Sequence, residues 1–169
     1  APIVEAFNQN GKNLVVIGTG TELPRLQQIA KSNVKILGYQ SNSVVQDYLS
    51  RARAFVYAAC EDFGIVLVEA QACGTPVIAY GLGGAAETVL DIRNYPDCGT
   101  GILFPTQTTA AILAAISTFE TYHQQFQAEK IRAHAESFAD SVFRSQYLSL
   151  LDRYYHRWKS GTSNQHSGV

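Results

Sequence analysis

The stretch from Ala54 to Leu90, AFVYAACEDFGIVLVEAQACGTPVIAYGLGGAAETVL, decides the fold of this chain. Short apolar runs at Ala54–Ala58 and Pro76–Ala79 predict strands, and the segments Ile65–Cys73 and about Ala85–Leu90 predict the helices that follow them. Glycine occurs in each joint. Strand, helix, strand, helix with short joints is typical of βαβ units, so the stretch predicts an α/β domain with an open parallel sheet.

The same alternation continues on both sides of this stretch. Further strands are predicted at Leu14–Ile17, Val34–Leu37 and Gly101–Phe104, and further helices at Pro2 to about Asn8, Glu22–Ser32 and about Val44–Leu49. The run Leu14–Ile17 is rich in β-branched residues, which suits a strand buried on both faces.

From Thr108 onward the pattern is helical only, through about Glu120, about Tyr122 to Phe138, and Asp140 to Lys159. We therefore expect a parallel sheet with helices on both faces and a helical C-terminal extension. The predicted domain covers residues 1–160, and the polar tail 161–169 is expected to be disordered.

Composition narrows the class of protein. The chain has 169 residues, 46% of them hydrophobic and 16% charged, with a formal net charge of -1, as in ordinary globular domains. No block of Lys and Arg is present, which argues against nucleic acid as a partner. No apolar run approaches the roughly 20 residues that span a bilayer. The three cysteines are expected to be reduced thiols of a cytoplasmic protein.

Ligands of an open parallel sheet bind beyond the carboxyl ends of the strands. Four joints are expected at that edge: Gly18–Gly20, Gly38–Gln40, Cys60–Gly64 and Tyr80–Gly84. Glycine there would let backbone N–H groups approach a phosphate, although it could equally make tight turns. The first joint does not match a dinucleotide fingerprint, because the third glycine would fall at Leu23.

Two glutamates give the sharpest chemical pattern. Glu61 lies in the loop after a strand, and Glu69 lies in an otherwise apolar helix, where an unpaired buried charge is costly. We expect both carboxylates to face one crevice and to accept bonds from sugar hydroxyls. Between them, the N–H groups of Gly64, Ile65 and Val66 would form a positive helix end suited to a diphosphate. The pattern favours a nucleotide-sugar site; Glu69 as a core residue satisfied by a neighbour is the alternative.

Glu61, seven residues, and Glu69, followed by AQACGTPVIAYGLGGAAETV, closely resemble the motif of family-4 retaining GT-B glycosyltransferases. The similarity covers nearly the whole chain and includes LVVIGTGTELPRLQQIA at 14–30, NVKILGYQ at 33–40 and FADSVFRSQYLSLLDRYYHRW at 138–158. The resemblance implies a Rossmann-like, donor-binding C-terminal domain. It implies transfer of a hexose with retention, from GDP-mannose or a UDP-sugar, with the mannosyltransferase branch most similar.

The resemblance also implies roles for individual residues. Glu61 would be catalytic and hold hydroxyls of the transferred sugar, and Glu69 would hold the ribose. Contacts to sugar and phosphate would come from Phe63, Gly64, Ile65 and Val66, the diphosphate end would be lined by Gly18 and Gly20, and the base would be flanked by Gly38, Tyr39 and Gln40. Glu87 could support the site or be structural, and Asp62 could cap the helix or touch substrate.

Members of this family work without a bound metal or cofactor, so none is expected here. Their catalytic basic residues would lie before Ala1, and their acceptor-binding N-terminal domain would also be absent from this sequence. We therefore expect the chain alone to bind donor weakly and to transfer nothing. The acceptor, a glycan, a lipid or another small molecule, would bind through that other domain, with peripheral association at the inner membrane face in the full-length protein.

Two other functions remain open: a non-catalytic nucleotide-sugar-binding or scaffold module of the same fold, and a nucleotide-sugar epimerase, whose carboxylate spacing should differ. The last helix also predicts self-association, because it carries an apolar face. That face consists of Val142, Phe143, Tyr147, Leu150, Leu151, Tyr154 and Trp158.

Overall fold

The computed structural model describes the backbone from Ala1 to Ser163 and the side chains of residues 1–160. It divides into two compact units, residues 1–135 and residues 136 onward. The first unit contains all five strands of the described residues and seven α-helices, the seventh of which ends at Glu136, one residue into the second unit. The second contains one long helix. The single domain over residues 1–160 stays a prediction.

The strands form two parallel sheets. In the first, β1 (Leu14–Ile17) pairs with β2 (Val34–Gly38), and the register shifts between Val16 and Ile17. In the second, β4 (Val77–Tyr80) lies between β3 (Phe55–Tyr57) and β5 (Gly101–Phe104). Every pairing is parallel, which confirms the predicted α/β class with open parallel strands.

The helices follow the predicted order. They are α1 (Pro2–Asn10), α2 (Leu23–Ile29), α3 (Asn42–Arg51), α4 (Ile65–Ala72), α5 (Gly84–Thr88), α6 (Thr109–Tyr122), α7 (Ala128–Glu136) and α8 (Asp140–Ser163). The helix predicted from Tyr122 to Phe138 is wrong as one element. A short 3-10 turn at His123–Gln125 ends in extended backbone at Phe126, whose ring stacks on Phe119 with centroids 5.5 Å apart.

Packing around β4 confirms helices on both faces. Ile78 belongs to a buried cluster that includes Phe7 of α1 and Ile112 of α6. Its neighbours Val77 and Ala79 point the other way, because side chains alternate along a strand, and join a second cluster with residues of α3, α4 and α5. The second sheet therefore lies between two helical layers.

The prediction that Leu14–Ile17 is buried on both faces is wrong. Leu14 and Val16 pack against the first cluster, but the side chain of Val15 is 39% exposed. Val15 lies beside Lys35 of β2 in the register, and Lys35 is exposed as well. A lysine facing solvent on β2 thus marks an open face that the apolar run of β1 does not reveal.

The C-terminal helix is longer than predicted. α8 runs to Ser163 instead of Lys159, so residues 161–163 belong to a helix rather than to a disordered tail. Positions 164–169 of the predicted tail lie outside the described residues. Nowhere in the described chain is there a helix with the length and apolar character needed to cross a membrane.

Candidate functional site

The loop after β3 holds Glu61 by its main chain and by its side chain. The N–H of Gly84 donates to the carbonyl oxygen of Glu61 over 2.7 Å. The hydroxyl of Tyr57 donates to Oε1 of the Glu61 carboxylate. Glu61 is nevertheless exposed. Its carboxylate is therefore positioned and still open to a ligand.

The glycines after β4 lie where two loops of the site approach each other closely. A Cβ at Gly84 would lie 2.1 Å from the carbonyl oxygen of Phe63, and one at Gly83 would lie 2.4 Å from that of Glu61. No side chain fits at such distances. The sequence left these glycines open between approach to a phosphate and a tight turn, and the loop that carries Glu61 and Phe63 occupies the space beside them. Gly83 and Gly84 shape the site by letting two loops touch.

The start of α4 lies where the sequence predicts it, at Ile65. Gly64 is the N-cap residue, and its φ of 78° is in the left-handed region that glycine tolerates. Among the described residues no hydrogen-bond partner is found for the N–H groups of Gly64, Ile65 and Val66. Gly64 itself is buried, whereas Ile65 is 67% exposed and Val66 is half-buried. At this helix end Ile65 and Val66 are therefore the residues that reach solvent.

Glu69 lies on the solvent-facing side of α4. Ile65, Glu69 and Ala72 are exposed, and their spacing puts them on one face of the helix, while Leu67 and Ala70 are buried on the other. The alternative of a core Glu69 satisfied inside the domain is wrong, because the residue is exposed. Burial raises the pKa of the Cys73 thiol most, and the negative charge of Glu69 raises that pKa further, whereas the charge of Arg132 lowers it.

The joints after β1 and β2 meet at one edge. The N–H of Gly18 donates to the carbonyl oxygen of Gly38 over 2.8 Å. Their φ values of 132° and 66° favour glycine, and a Cβ at either would meet nothing within 4 Å, so backbone conformation rather than crowding selects the residue. Tyr39 is 78% exposed, and Nε2 of Gln40 donates to the carbonyl oxygen of Leu37 over 2.9 Å.

Gly20 follows this joint, at the turn into α2. Its carbonyl oxygen accepts from the N–H of Leu23 over 3.1 Å, and a Cβ at Gly20 would meet nothing within 4 Å. The predicted site residues thus form two groups: Gly18, Gly20, Gly38, Tyr39 and Gln40 around the first sheet, and Glu61, Phe63, Gly64, Ile65, Val66 and Glu69 around the start of α4.

Tyr57 is a residue of the site that the sequence analysis missed. The pattern identified it only as part of a strand, although its place at the end of β3, four residues before Glu61, was a usable signal. Burial, followed by the hydrogen bond to Glu61 and the charge of that carboxylate, raises the pKa of Tyr57 to about 12. At neutral pH its hydroxyl is therefore protonated and donates.

The structure also places Asp62, Glu87 and two basic residues. Asp62 does not cap α4, because the N-cap is Gly64 and no side chain caps it. Glu87 is exposed in the first turn of α5, which leaves both of its predicted roles open. Two basic residues form ion pairs: Lys12 with Glu120 at 3.2 Å and Arg25 with Glu22 at 3.2 Å.

Comparison with known proteins gives relatives that act on sugars. The D-inositol 3-phosphate glycosyltransferase of Mycobacteroides abscessus is 51% identical over 93 residues, which cover 55% of this chain and 20% of that protein. The GDP-mannose-dependent monoacylated alpha-(1-6)-phosphatidylinositol monomannoside mannosyltransferase of Corynebacterium glutamicum is 40% identical over 87 residues, covering 45% and 23%. The matched part of this chain thus spans about a fifth of each relative.

The fold of this chain is also similar to that of solved structures. Sucrose-phosphate synthase from Thermosynechococcus elongatus superposes with a TM-score of 0.72 at 25% identity, covering 92% of this chain and 42% of that one. Anabaena Alr3699/HepE in complex with UDP and glucose superposes with a TM-score of 0.67 at 25% identity, covering 89% and 43%. The model of the family described as "Glycosyl transferases group 1" matches residues 1–120, well over half of the chain. The chain therefore belongs to the group 1 glycosyl transferases.

Proposed function

We propose that this chain is the nucleotide-sugar-binding part of an enzyme that transfers a hexose with retention at the anomeric carbon. One observation carries the proposal: the fixed, exposed carboxylate of Glu61 lies just before the open amide end of α4, and exposed Glu69 follows on the same helix. Acceptors for hydroxyls next to donors for phosphate match a nucleotide sugar chemically.

Each part of the site has a proposed role. Glu61 holds hydroxyls of the transferred hexose and acts in catalysis, and Glu69 holds the ribose. The diphosphate lies against the N–H groups of Ile65 and Val66, with Phe63 and Gly64 shaping that end. The remaining residues line the diphosphate end and the base, namely Gly18, Gly20, Gly38, Tyr39 and Gln40.

GDP-mannose is the proposed donor, with a UDP-sugar as the competing choice. The Corynebacterium relative is GDP-mannose-dependent by name. The Anabaena structure contains UDP and glucose, and its similarity extends over more of this chain. Both nucleotides therefore belong in the binding experiment.

Transfer itself is proposed for the whole enzyme, because this chain spans only a part of its relatives. The acceptor would bind through a further domain, and the chain alone should bind donor without transferring it. Function without a bound metal or cofactor stays a prediction. So do location in the cytoplasm, peripheral membrane contact, and the absence of nucleic acid among the partners.

Calorimetric titration of the chain with GDP, UDP, GDP-mannose and UDP-glucose tests the proposal. Saturable binding of one nucleotide and its sugar is expected. Replacing Glu69 by Gln should weaken that binding about tenfold or more, because a hydrogen bond to a charged carboxylate is replaced by a weaker one to a neutral amide oxygen. Glu129→Gln, at an exposed glutamate on α7, is the matched control and should bind like the wild type.

Two results would contradict the proposal. If Glu69→Gln binds the nucleotide as tightly as the wild type does, Glu69 does not hold the ribose. Failure of an intact full-length protein to bind any of the four compounds would favour the scaffold alternative.

We also propose that α8 pairs with a second copy of the chain. Its predicted apolar face is open: Phe143 is 63% exposed, Tyr154 60% and Trp158 66%. Phe143 and Tyr147 stack on each other with ring centroids 5.7 Å apart, and exposed Leu150, Tyr154 and Trp158 follow at helical spacing on the same side, so an apolar strip runs along the helix. Large exposed apolar strips of this kind mark interaction surfaces.

A further inference from the structure

The hydroxyl of Tyr57 is bound to the carboxylate on which sugar recognition is proposed to depend. We propose that Tyr57 is a positioning residue that fixes the Glu61 carboxylate for the hexose of the donor; this inference rests on the proposed function. Tyr57 would not touch the diphosphate or the base. Its influence should therefore be confined to the sugar.

The ring of Tyr57 is held independently of Glu61. Tyr57 is the last residue of β3, and its backbone lies opposite Ala79 of β4. The ring stacks on Phe55 with centroids 5.8 Å apart and packs against the buried cluster that contains Leu67. A side chain fixed by packing presents its hydroxyl at a defined point, which is what a positioning role requires.

The Glu61 carboxylate, in contrast, has the Tyr57 hydroxyl as its only side-chain partner among the described residues. Oε1 of Glu61 accepts from Tyr57, whereas no partner within the described residues is found for Oε2. The hydrogen bond from Gly84 holds the Glu61 main chain but not the end of its side chain. An exposed glutamate without Tyr57 would sample several rotamers, and binding would have to order it. With Tyr57, one oxygen is fixed and the other is open to a sugar hydroxyl.

The raised pKa of Tyr57 keeps its hydroxyl protonated, so it can act as a hydrogen-bond donor to Glu61. Because burial, the bond to Glu61 and the charge of Glu61 raise the pKa of Tyr57 to about 12, it donates throughout the neutral range. Replacement by Phe removes one oxygen and retains the ring that stacks on Phe55. The variant thus separates positioning from packing.

The test compares wild type, Tyr57→Phe and Tyr122→Phe by calorimetric titration with GDP, GDP-mannose, UDP and UDP-glucose. Tyr122 ends α6, whose 14 residues place it about 20 Å along the helix from the strand ends. Tyr57→Phe should weaken binding of the sugar nucleotide about tenfold and leave binding of the matching nucleoside diphosphate unchanged. Tyr122→Phe should change neither. A general structural defect would weaken both ligands.

A second measurement requires no ligand. The tyrosinate absorbance difference between wild type and Tyr57→Phe reports the ionisation of Tyr57, and Glu61→Gln should lower that pKa from about 12 toward the ordinary value of about 10. An unchanged titration in Glu61→Gln would overturn the inference. So would equal sugar-nucleotide binding by wild type and Tyr57→Phe, which would leave the proposed function standing. A wild-type chain that binds no nucleotide would overturn both.

Discussion

At the scale of single residues, crowding rather than ligand contact explains the glycine pair of the site. A Cβ at Gly84 would overlap the backbone of Phe63, with its oxygen at 2.1 Å and its carbonyl carbon at 2.2 Å. Backbone atoms cannot swing aside as a flexible side chain can. One of the two loops would have to move, and Glu61 is part of the loop that Gly84 touches.

Gly84→Ala should therefore lower the free energy of unfolding by about 2 kcal/mol or more, as overpacking does. Gly20→Ala is the matched control, because a Cβ there meets nothing within 4 Å and the backbone is not in the left-handed region. It should be within about 0.5 kcal/mol of the wild type. Denaturant unfolding monitored by circular dichroism measures both, and equal stability of the two variants would contradict the close approach.

The sequence identified most of the residues that form the candidate site, but it did not predict the contacts between them. Glu61 and Glu69 stand out as charges in an apolar segment, and that contrast is visible in the sequence. The bond from Tyr57 is not, because it depends on where a loop returns relative to the end of β3. The crowding at Gly84 depends likewise on the distance between two loops that are 20 residues apart in the chain.

At the scale of elements, a buried carboxylate ties the segment after α5 to β5. Asp91 is 4% exposed and forms an isolated parallel bridge with Gly101. It accepts from the N–H of Leu103 at 2.8 Å and from the Arg93 side chain. Burial alone would raise the pKa of Asp91, but the bonds from Arg93 and Leu103 outweigh it and hold the pKa below its usual value.

Because the pKa of Asp91 is lower in the folded state than in the unfolded state, the ionised carboxylate stabilises the fold. The stabilisation is present above the unfolded pKa of about 4 and is lost as the pH falls through the folded value. Asp91→Asn should destabilise the chain by about 1–3 kcal/mol at pH 7, and the difference from wild type should shrink below about pH 4. Urea unfolding across this range measures it. A difference that is the same at low and neutral pH would place the lost stability elsewhere.

The elements themselves were largely predictable, because each is specified by a local pattern. Pro76–Ala79 was placed within one residue of β4, whose burial on both faces suits a continuous apolar run. The break near Phe126 was missed, since stacking on Phe119 competes with helix continuation and leaves no periodic signal. For β1, an apolar run similar to that of β4 lies on an open face, so burial depends on neighbouring elements.

At the scale of the whole molecule, the parallel arrangement was predictable and the division into two sheets was not. Strand–helix–strand repeats favour parallel pairing, but which strands pair depends on hydrogen bonds between distant segments. The resemblance read from the central motif is confirmed by the family that matches residues 1–120.

The apolar strip of α8 predicts concentration-dependent association. At high concentration the chain should sediment partly as a dimer, and Leu150→Glu should return it to monomer because a charge cannot be buried against an apolar partner. Analytical ultracentrifugation over a range of concentrations measures this, with Ser145→Glu, at an exposed position on the opposite side of the same helix, as the control. A strictly monomeric profile at every concentration would count against the proposed pairing.

The contact between the Glu61 loop and the Gly83–Gly84 turn also bears on how this domain can be re-engineered. The two segments leave no room for a single methyl group between them. We therefore expect that a change in one requires a matching change in the other. If residues 60–64 were replaced by those of another transferase while residues 81–84 were kept, the two loops would not be matched in shape. Exchanging both segments together should preserve folding, and donor preference could then be transplanted as a block.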